Sequence, residues 1–249
     1  MKEHLIAYFD LLGYKQFIKN NNEELTSIRV KHILRDIENS LALRKTKPIN
    51  PGGIIADLEY SKVNCLNISD TIILWTDDYS NESVKYFIKV CFNLNFMLNK
   101  WTFPCRGVLI SDKFEIISGK KRNSAGYIYS PNIMYGKGLL KAHMKCESFN
   151  FAGTIIDKSF IDRFLGNETI IETTQCFCMK YLIPYKEHQA NQEHEFAFKF
   201  TTGYLNDEYF ENVREEIINN FRKDNKEVNE EVQLKIDNTI EFLRNHPWK

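Results

Sequence analysis

Two aspartates stand within or beside apolar runs, where an ionised carboxylate is costly to bury. Asp10 lies in the stretch LIAYFDLLGY at residues 5–14, and Asp70 lies in NISDTIILW at residues 67–75. A lone aspartate of this kind is more often a turn or cap residue. Two of them on neighbouring strands repel one another unless a cation lies between them. The pair therefore indicates a site for Mg²⁺ or Mn²⁺, whose remaining oxygen ligands come from phosphate and water.

The residue that breaks the first apolar run is Gly13, three positions after Asp10. Glycine lets the chain turn closely, as loops that cradle phosphate groups do. A carboxylate at the exit of a buried strand, followed by such a turn, favours a bound metal–phosphate group over a buried charge with no ligand.

The elements that must position these residues follow from hydrophobic periodicity. Apolar spacing predicts a long helix over residues 23–44 and a second over residues 82–101, and residues 57–78 form a hairpin whose strands meet near residues 67–70. Further elements are a strand over 105–117, a helix over 136–149, a short strand over 153–157, strands over 175–185 and 195–201, and a mostly helical tail. The order predicts an α+β sandwich, with helices on one face of a mostly antiparallel sheet.

Composition narrows the function classes. The chain has 249 residues, a formal net charge of zero and a hydrophobic fraction of 43%. A neutral chain is a poor candidate for stable nucleic-acid binding, and no apolar run approaches a membrane span. The six cysteines include no CxxC pair, and no secretory signal is evident, so we expect reduced thiols and a cytoplasmic protein. Cys176 and Cys178 are predicted to share one strand face.

Four motifs in order resemble those of the class III nucleotidyl cyclases over residues 5–160. AYFDLLGYKQFI is similar to the first metal motif, NISDTIILW to the second, with Ser69 where many members have glycine, CRGVLIS to the next strand, and YGKGLLKAHMKCE to the transition-state helix. The resemblance is strongest to the pyrimidine cyclases of bacterial antiphage defence. It implies a ferredoxin-like catalytic domain over residues 1–165, and residues 166–249 then form C-terminal strands and a helical tail.

The resemblance also implies roles for particular residues. Asp10 and Asp70 would hold two Mg²⁺ or Mn²⁺ ions per site, with help from the Leu11 carbonyl. The backbone of Leu11, Leu12 and Gly13 would approach the triphosphate of the substrate, beside Tyr14. One ion would activate the ribose 3′-hydroxyl, and the other would hold the leaving pyrophosphate.

Departures from the family pattern bear on the substrate. Leu66 stands where purine cyclases carry a base-reading lysine or glutamate, which leaves room for UTP or CTP. Tyr60, predicted on the first hairpin strand, and Arg106, predicted on the next strand, are candidates for the base or sugar pocket. Alternatively, Tyr60 is a half-buried strand aromatic and Arg106 a surface charge.

The fourth motif departs furthest from the family. Leu140 stands at the position of the family's asparagine and Met144 at that of its arginine, and neither can hydrogen-bond a phosphate. Three lysines are spaced four apart, and we expect one or more of them to replace the arginine as a phosphate-binding charge: Lys137, Lys141 and Lys145. The alternative is a solvated lysine face. His143, beside them, is assigned no role.

The resemblance implies a head-to-tail homodimer with two equivalent sites, which the tail would brace unless it packs on its own domain. The expected protein is an antiphage enzyme that converts UTP or CTP to a cyclic monophosphate, read by an effector that it does not contact. Three alternatives stay open: a purine cyclase, a cyclase-like domain that binds nucleotide or a partner without chemistry, and a plain α+β interaction module.

Overall fold

A computed structural model describes residues 1–130, 132–187, 194–201 and 205–246. In chain order its elements are β1 (Lys2–Leu11), α1 (Tyr14–Asn20), α2 (Glu23–Leu41), β2 (Thr46–Pro48), β3 (Ile54–Ala56), β4 (Asn64–Ile68), β5 (Thr71–Thr76), α3 (Asn81–Met97), β6 (Cys105–Ser118), β7 (Lys121–Arg122), β8 (Ile128–Tyr129), β9 (Asn132–Tyr135), α4 (Lys137–Ser148), β10 (Gly153–Ile156), α5 (Lys158–Arg163), α6 (Glu168–Phe177), β11 (Cys178–Tyr181), β12 (Glu195–Phe198), α7 (Asp207–Arg222) and α8 (Glu230–Arg244). A π-helical turn, Leu98–Thr102, extends α3.

The main sheet has the strand order β11-β12-β10-β6-β1-β5-β4, with β9 paired to the far end of β6. Among the strands that the structure describes, only the β6–β10 pair is parallel. Within it, β6-β1-β5-β4 are antiparallel neighbours, joined by α1–α2 between β1 and β4 and by α3 between β5 and β6. This order is that of the ferredoxin-like split βαβ motif. The prediction of an α+β fold with a mostly antiparallel sheet is therefore confirmed.

The central strand β1 is buried on both faces, which explains its continuous apolar run. Alternate side chains point to opposite sides, so Leu5, Ala7 and Phe9 pack in one core with residues of α2 and α3. Ile6 and Tyr8 belong to a second core, which α4 covers together with the tail helices α7 and α8. The expectation of helices on one face only was wrong, because the second face is also covered.

The tail is continuous with the rest of the fold. Strands β11 and β12 extend the main sheet beyond β10, and α7 and α8 pack into the second core with β1, β6 and α4. Local sequence sets where these helices begin: Asn206 and Asn229 accept hydrogen bonds from the backbone amides of Tyr209 and Val232, as N-cap residues do.

Three local predictions were wrong. Residues 168–177 are helical, so the strand expected over 175–185 is shortened to β11. Cys176 and Cys178 do not share a strand face, because Cys176 lies on α6 and is exposed while Cys178 begins β11 and is buried. Tyr60 lies in the loop before β4 rather than on a hairpin strand, because β4 begins only at Asn64. The hairpin itself is confirmed: β4 and β5 meet at Ile68 and Thr71. No helix in the described part of the chain is long and apolar enough to cross a membrane.

Candidate active site

Asp10 and Asp70 lie at the same end of the central sheet. Asp10 is directly opposite Thr71 in the β1–β5 register, and the Leu11 amide donates to the Asp70 carbonyl at 2.9 Å. The turn between β4 and β5 is tight, and Ser69 adopts a left-handed conformation with φ +56°. The register of one strand pair therefore brings together two carboxylates that are sixty residues apart.

The turn after β1 is built around Gly13, which has φ +78° and precedes α1. The Leu12 amide donates to the Pro104 carbonyl at 2.8 Å, and the Phe17 amide donates to the Gly13 carbonyl at 3.0 Å. The chain therefore leaves the strand and enters the helix within two residues. A left-handed residue at this point is the conformation that glycine adopts without steric cost.

Arg106 neutralises Asp10. It lies opposite Asp10 in the β1–β6 register, and its side chain is 8% exposed. Its Nε donates to Asp10 Oδ2 at 2.9 Å, Nη2 lies 2.8 Å from the same oxygen, and Nη1 donates to the Glu147 carbonyl at 3.3 Å. The alternative of a surface charge is therefore wrong. Arg106 lies against the Asp10 carboxylate.

Burial outweighs the opposing effects on Asp10, and the pKa of its carboxyl lies above its usual value. Burial raises its pKa, the nearby Arg106 charge and hydrogen bonds oppose that rise, and the negative charges of Asp70 and Glu147 add to it. A carboxylate that is half-desolvated and close to other carboxylates gains from any additional cation. This environment suits a divalent ion.

A cavity of about 270 Å³ joins these groups. Its walls include the predicted residues Asp10, Leu11, Leu12, Gly13, Tyr14, Asp70 and Arg106. Charged groups that sequence reasoning missed complete it: Lys15, Glu147, Lys186, Glu231 and Lys235. No local motif identifies those five, because they come from α1, α4, the segment after β11 and α8 and meet only in space.

A second and larger groove, of about 610 Å³, shares Asp70 with the first. Leu66, Leu139 and Leu140 are among its apolar walls. Its polar groups include Tyr8, whose hydroxyl lies 3.0 Å from His143 Nδ1. Neither of these two residues was assigned a role from the sequence.

The lysines of α4 lie apart from the cavity of Asp10. Lys141 and Lys145 reach Asp157 at 2.9 and 2.7 Å, and Lys145 also reaches Glu195 at 2.5 Å. Burial raises the pKa of Asp157, but hydrogen bonds from both lysines and from a neighbouring serine outweigh it and hold that pKa well below its usual range. The phosphate-binding roles predicted for Lys141 and Lys145 stay predictions. Within one chain both amines form ion pairs with carboxylates.

The remaining predicted positions are at the surface. Lys137 is exposed at the start of α4, and Tyr60 is 64% exposed, with Lys45 Nζ 5.8 Å from its ring centroid. Leu140 and Met144, which replace the family's asparagine and arginine, are 58% and 62% exposed. These two positions of α4 are thus apolar and exposed where the resemblance predicts phosphate-binding side chains.

The donor set limits which metal could bind. Among the residues that the structure describes, no group of three or more histidine, cysteine, aspartate or glutamate side chains could hold an ion by itself. Two carboxylates and a carbonyl, from Asp10, Asp70 and Leu11, fit a hard cation that takes its other oxygens from a ligand and water. Mg²⁺ and Mn²⁺ behave in this way when they bind with a phosphate.

Comparison with known proteins gives structural likeness only. No protein-family model and no curated protein matches the sequence. The guanylate cyclase domain of RhGC from Catenaria anguillulae in complex with GTP is 7% identical, with 79% of this chain and 95% of that chain covered and a TM-score of 0.48. The non-canonical dimeric guanylyl cyclase domain of the RhoGC fusion protein from Blastocladiella emersonii is 7% identical, with 80% of this chain and 96% of that chain covered and a TM-score of 0.49. The adenylyl cyclase CyaB from P. aeruginosa is 10% identical, with 79% of this chain and 93% of that chain covered and a TM-score of 0.45. At these identities the likeness concerns the fold alone.

Proposed function

We propose that this protein is a nucleotidyl cyclase that converts UTP or CTP to the 3′,5′-cyclic monophosphate and pyrophosphate. The observation that carries the proposal is the convergence of Asp10 and Asp70 beside the Gly13 turn, on one cavity and in one chain. The motif resemblance predicts the same two carboxylates as metal ligands. If the protein were a plain interaction module, the position of both carboxylates in one cavity would be a coincidence.

The reaction needs no covalent protein intermediate. The ribose 3′-oxygen attacks the α-phosphorus in line, the bond from that phosphorus to the bridging oxygen of the β-phosphate breaks, pyrophosphate leaves, and the hydroxyl proton passes to water. Two Mg²⁺ or Mn²⁺ ions held by Asp10, Asp70 and the Leu11 carbonyl would, when bound, neutralise the phosphate oxygens and lower the pKa of the hydroxyl. The chain supplies positioning: the Gly13 turn allows close approach of the triphosphate, and Arg106 fixes the Asp10 carboxylate.

The preference for a pyrimidine rests on the groove beside Asp70. Leu66 lines it where a purine cyclase would present a charged base-reading group, so a purine gains no such hydrogen bond there. A purine cyclase is the second candidate, because Tyr8 and His143 in the same groove can hydrogen-bond any base. An antiphage signalling role follows from the resemblance alone.

Exposed apolar side chains on α4, β4 and β9 support a head-to-tail homodimer. Leu140, Met144, Ile68 and Ile133 are all more than half exposed, and exposed apolar groups gathered around a groove favour a protein partner. A second copy would cover them. Measurement of mass in solution tests this, and we expect Met144→Lys to shift the mass toward that of a monomer.

The deciding experiment incubates the purified protein with each of the four nucleoside triphosphates and Mn²⁺ and separates the products. A cyclic pyrimidine monophosphate supports the proposal, whereas cyclic AMP or GMP supports the second candidate. Asp70→Asn should abolish turnover with the fold intact, and Asp162→Asn, a matched change at an exposed position of α5, should not. Metal-dependent nucleotide binding without any product would instead indicate a binding domain that does no chemistry.

A further inference from the structure

The connection between α7 and α8 is bound to the segment that follows the Gly13 turn. Asn20 Nδ2 donates to the Asn225 carbonyl at 2.8 Å, Asn21 Nδ2 donates to the Asp224 carbonyl at 2.6 Å, and Asn225 Nδ2 donates to Asn21 Oδ1 at 2.9 Å. Arg29 of α2 reaches the Asp224 carboxylate at 3.0 Å. Four polar contacts therefore hold the connection that leads into α8 against α1, α2 and Asn21 between them.

Lys226, in the same connection, packs directly on the turn. A β-carbon added to Gly13 would lie 3.2 Å from the Lys226 Cδ. The Lys226 amine donates to the Asn220 carbonyl at 2.8 Å and lies 3.9 Å from the centroid of the Phe103 ring. The tail thus packs closely against the Gly13 turn, and neither can move far without the other.

This attachment aims the first turns of α8 at the candidate active site. Glu231 and Lys235, one helical turn apart, both line the cavity that contains Asp10, Asp70 and Arg106. The Lys235 side chain is 10% exposed, and its amine is paired only 2.5 Å from the Glu231 carboxylate, which is 66% exposed. A lysine so little exposed beside a polar cavity is held where it can reach a ligand there.

Both signs of charge line the cavity. Carboxylates come from Asp10, Asp70, Glu147 and Glu231, and cations from Lys15, Arg106, Lys186 and Lys235. The hydrogen bond and charge of Lys235 lower the pKa of Glu231, and the Lys186 and Arg106 charges lower it further. Glu231 is therefore the anion that compensates the cations on this wall, and a polyphosphate brings charge of the same sign to the same place.

We propose that the C-terminal tail is part of the active site and that Lys235 binds the β- and γ-phosphates of the nucleotide in its own chain. Glu231 holds the lysine amine when no nucleotide is bound and gives it up to the phosphate oxygens. This inference rests on the proposed cyclase function. It supplies the phosphate-binding cation that α4 lacks, since Met144 stands there and the α4 residues Lys141 and Lys145 are paired with Asp157.

Two variants that break the same ion pair separate this role from a structural one. Lys235→Gln removes the phosphate ligand, so binding of inorganic tripolyphosphate with Mn²⁺, measured by calorimetry, should weaken about 10- to 100-fold. Glu231→Gln frees the lysine and removes a repelling charge, so the same binding should tighten a few-fold. If the pair only stabilises the fold, both variants move binding in the same direction or not at all, and the proposal is wrong.

Two control variants and a turnover measurement complete the test. Arg244→Gln removes one positive charge from the far end of the same helix, and wild-type affinity is expected. Lys235→Arg keeps the charge and should retain most of the binding. This variant can be measured even if Lys235→Gln fails to fold. Wild-type turnover of a nucleotide with an unchanged KM in Lys235→Gln overturns this inference alone, whereas a wild-type chain that neither binds nor turns over any nucleotide overturns the proposed function as well.

Discussion

The Arg106→Gln substitution probes the site's electrostatics most directly, because it removes the cation that neutralises Asp10. The guanidinium lies 2.8 and 2.9 Å from one Asp10 oxygen, and the two side chains are 8% and 19% exposed. At that separation the Coulomb attraction is about 6 kcal/mol for an effective dielectric constant near 20, which desolvation largely offsets. Removing one partner of a buried pair costs about 3–5 kcal/mol because the other charge is left without compensation.

We expect a cost at or below the bottom of that range, about 2–3 kcal/mol, because Asp10 borders a cavity that water can enter. In a chain of this size each kcal/mol shifts Tm by about 2–4 °C, so the variant should melt roughly 4–12 °C below the wild type. The matched control is Arg163→Gln, which breaks an exposed ion pair with Glu3 whose side chains are 37% and 42% exposed. A surface pair of that kind contributes less than about 1 kcal/mol.

Repeating the melting experiment with Mn²⁺ tests whether the loss of stability arises at the Asp10 carboxylate. Mn²⁺ and the guanidinium compete for the same carboxylate, so Mn²⁺ should stabilise Arg106→Gln more than it stabilises the wild type. Recovery of about 1–2 kcal/mol corresponds to a free metal concentration about 5–30 times the Kd. Adding Asp10→Asn should abolish the difference. A melting temperature no lower than that of Arg163→Gln, or an equal effect of Mn²⁺ on variant and wild type, would refute the reasoning.

Three further predictions concern the turns and the tail. Gly13→Ala places a β-carbon in a left-handed residue 3.2 Å from Lys226, and we expect a loss of about 1–2 kcal/mol in denaturant unfolding; no measurable loss would show that the turn relaxes. Ser69→Gly should stabilise by up to about 1 kcal/mol because Ser69 has φ +56°, whereas Ser69→Val should destabilise, and a reversed order would contradict the left-handed turn. Burial lowers the pKa of Lys226 from 10.5 to about 7, with charges facing it from Arg29, Lys223 and Asp224. The unfolded chain therefore binds more protons between those values, and wild-type stability should rise with pH there by at most about 1.4 kcal/mol per unit. Lys226→Met should be more stable than the wild type by a margin that is largest at pH 7 and shrinks toward pH 10, and a margin independent of pH would exclude a buried titrating amine.

Sequence patterns alone were sufficient for the elements whose burial is simple. The apolar run of β1, the hairpin of β4 and β5, and the helices α3 and α4 were predicted near their observed positions, because periodicity reports directly which faces are buried. The sites of Asp10 and Asp70 at strand ends were also visible. The helix α6 was missed, since its short and partly polar segment is ambiguous until β12 and α3 pack around it.

Which charges meet was decided only by the tertiary structure. The β1–β6 register pairs Arg106 with Asp10. The packing of α4 places Lys141 and Lys145 against Asp157. The contacts between α1 and the connection before α8 place Lys235 in the same cavity as Asp10, which precedes it by more than two hundred residues. Local sequence fixes backbone preference and burial, which act over a few residues. Electrostatic partners depend on strand register and helix packing, which no short stretch of the chain contains.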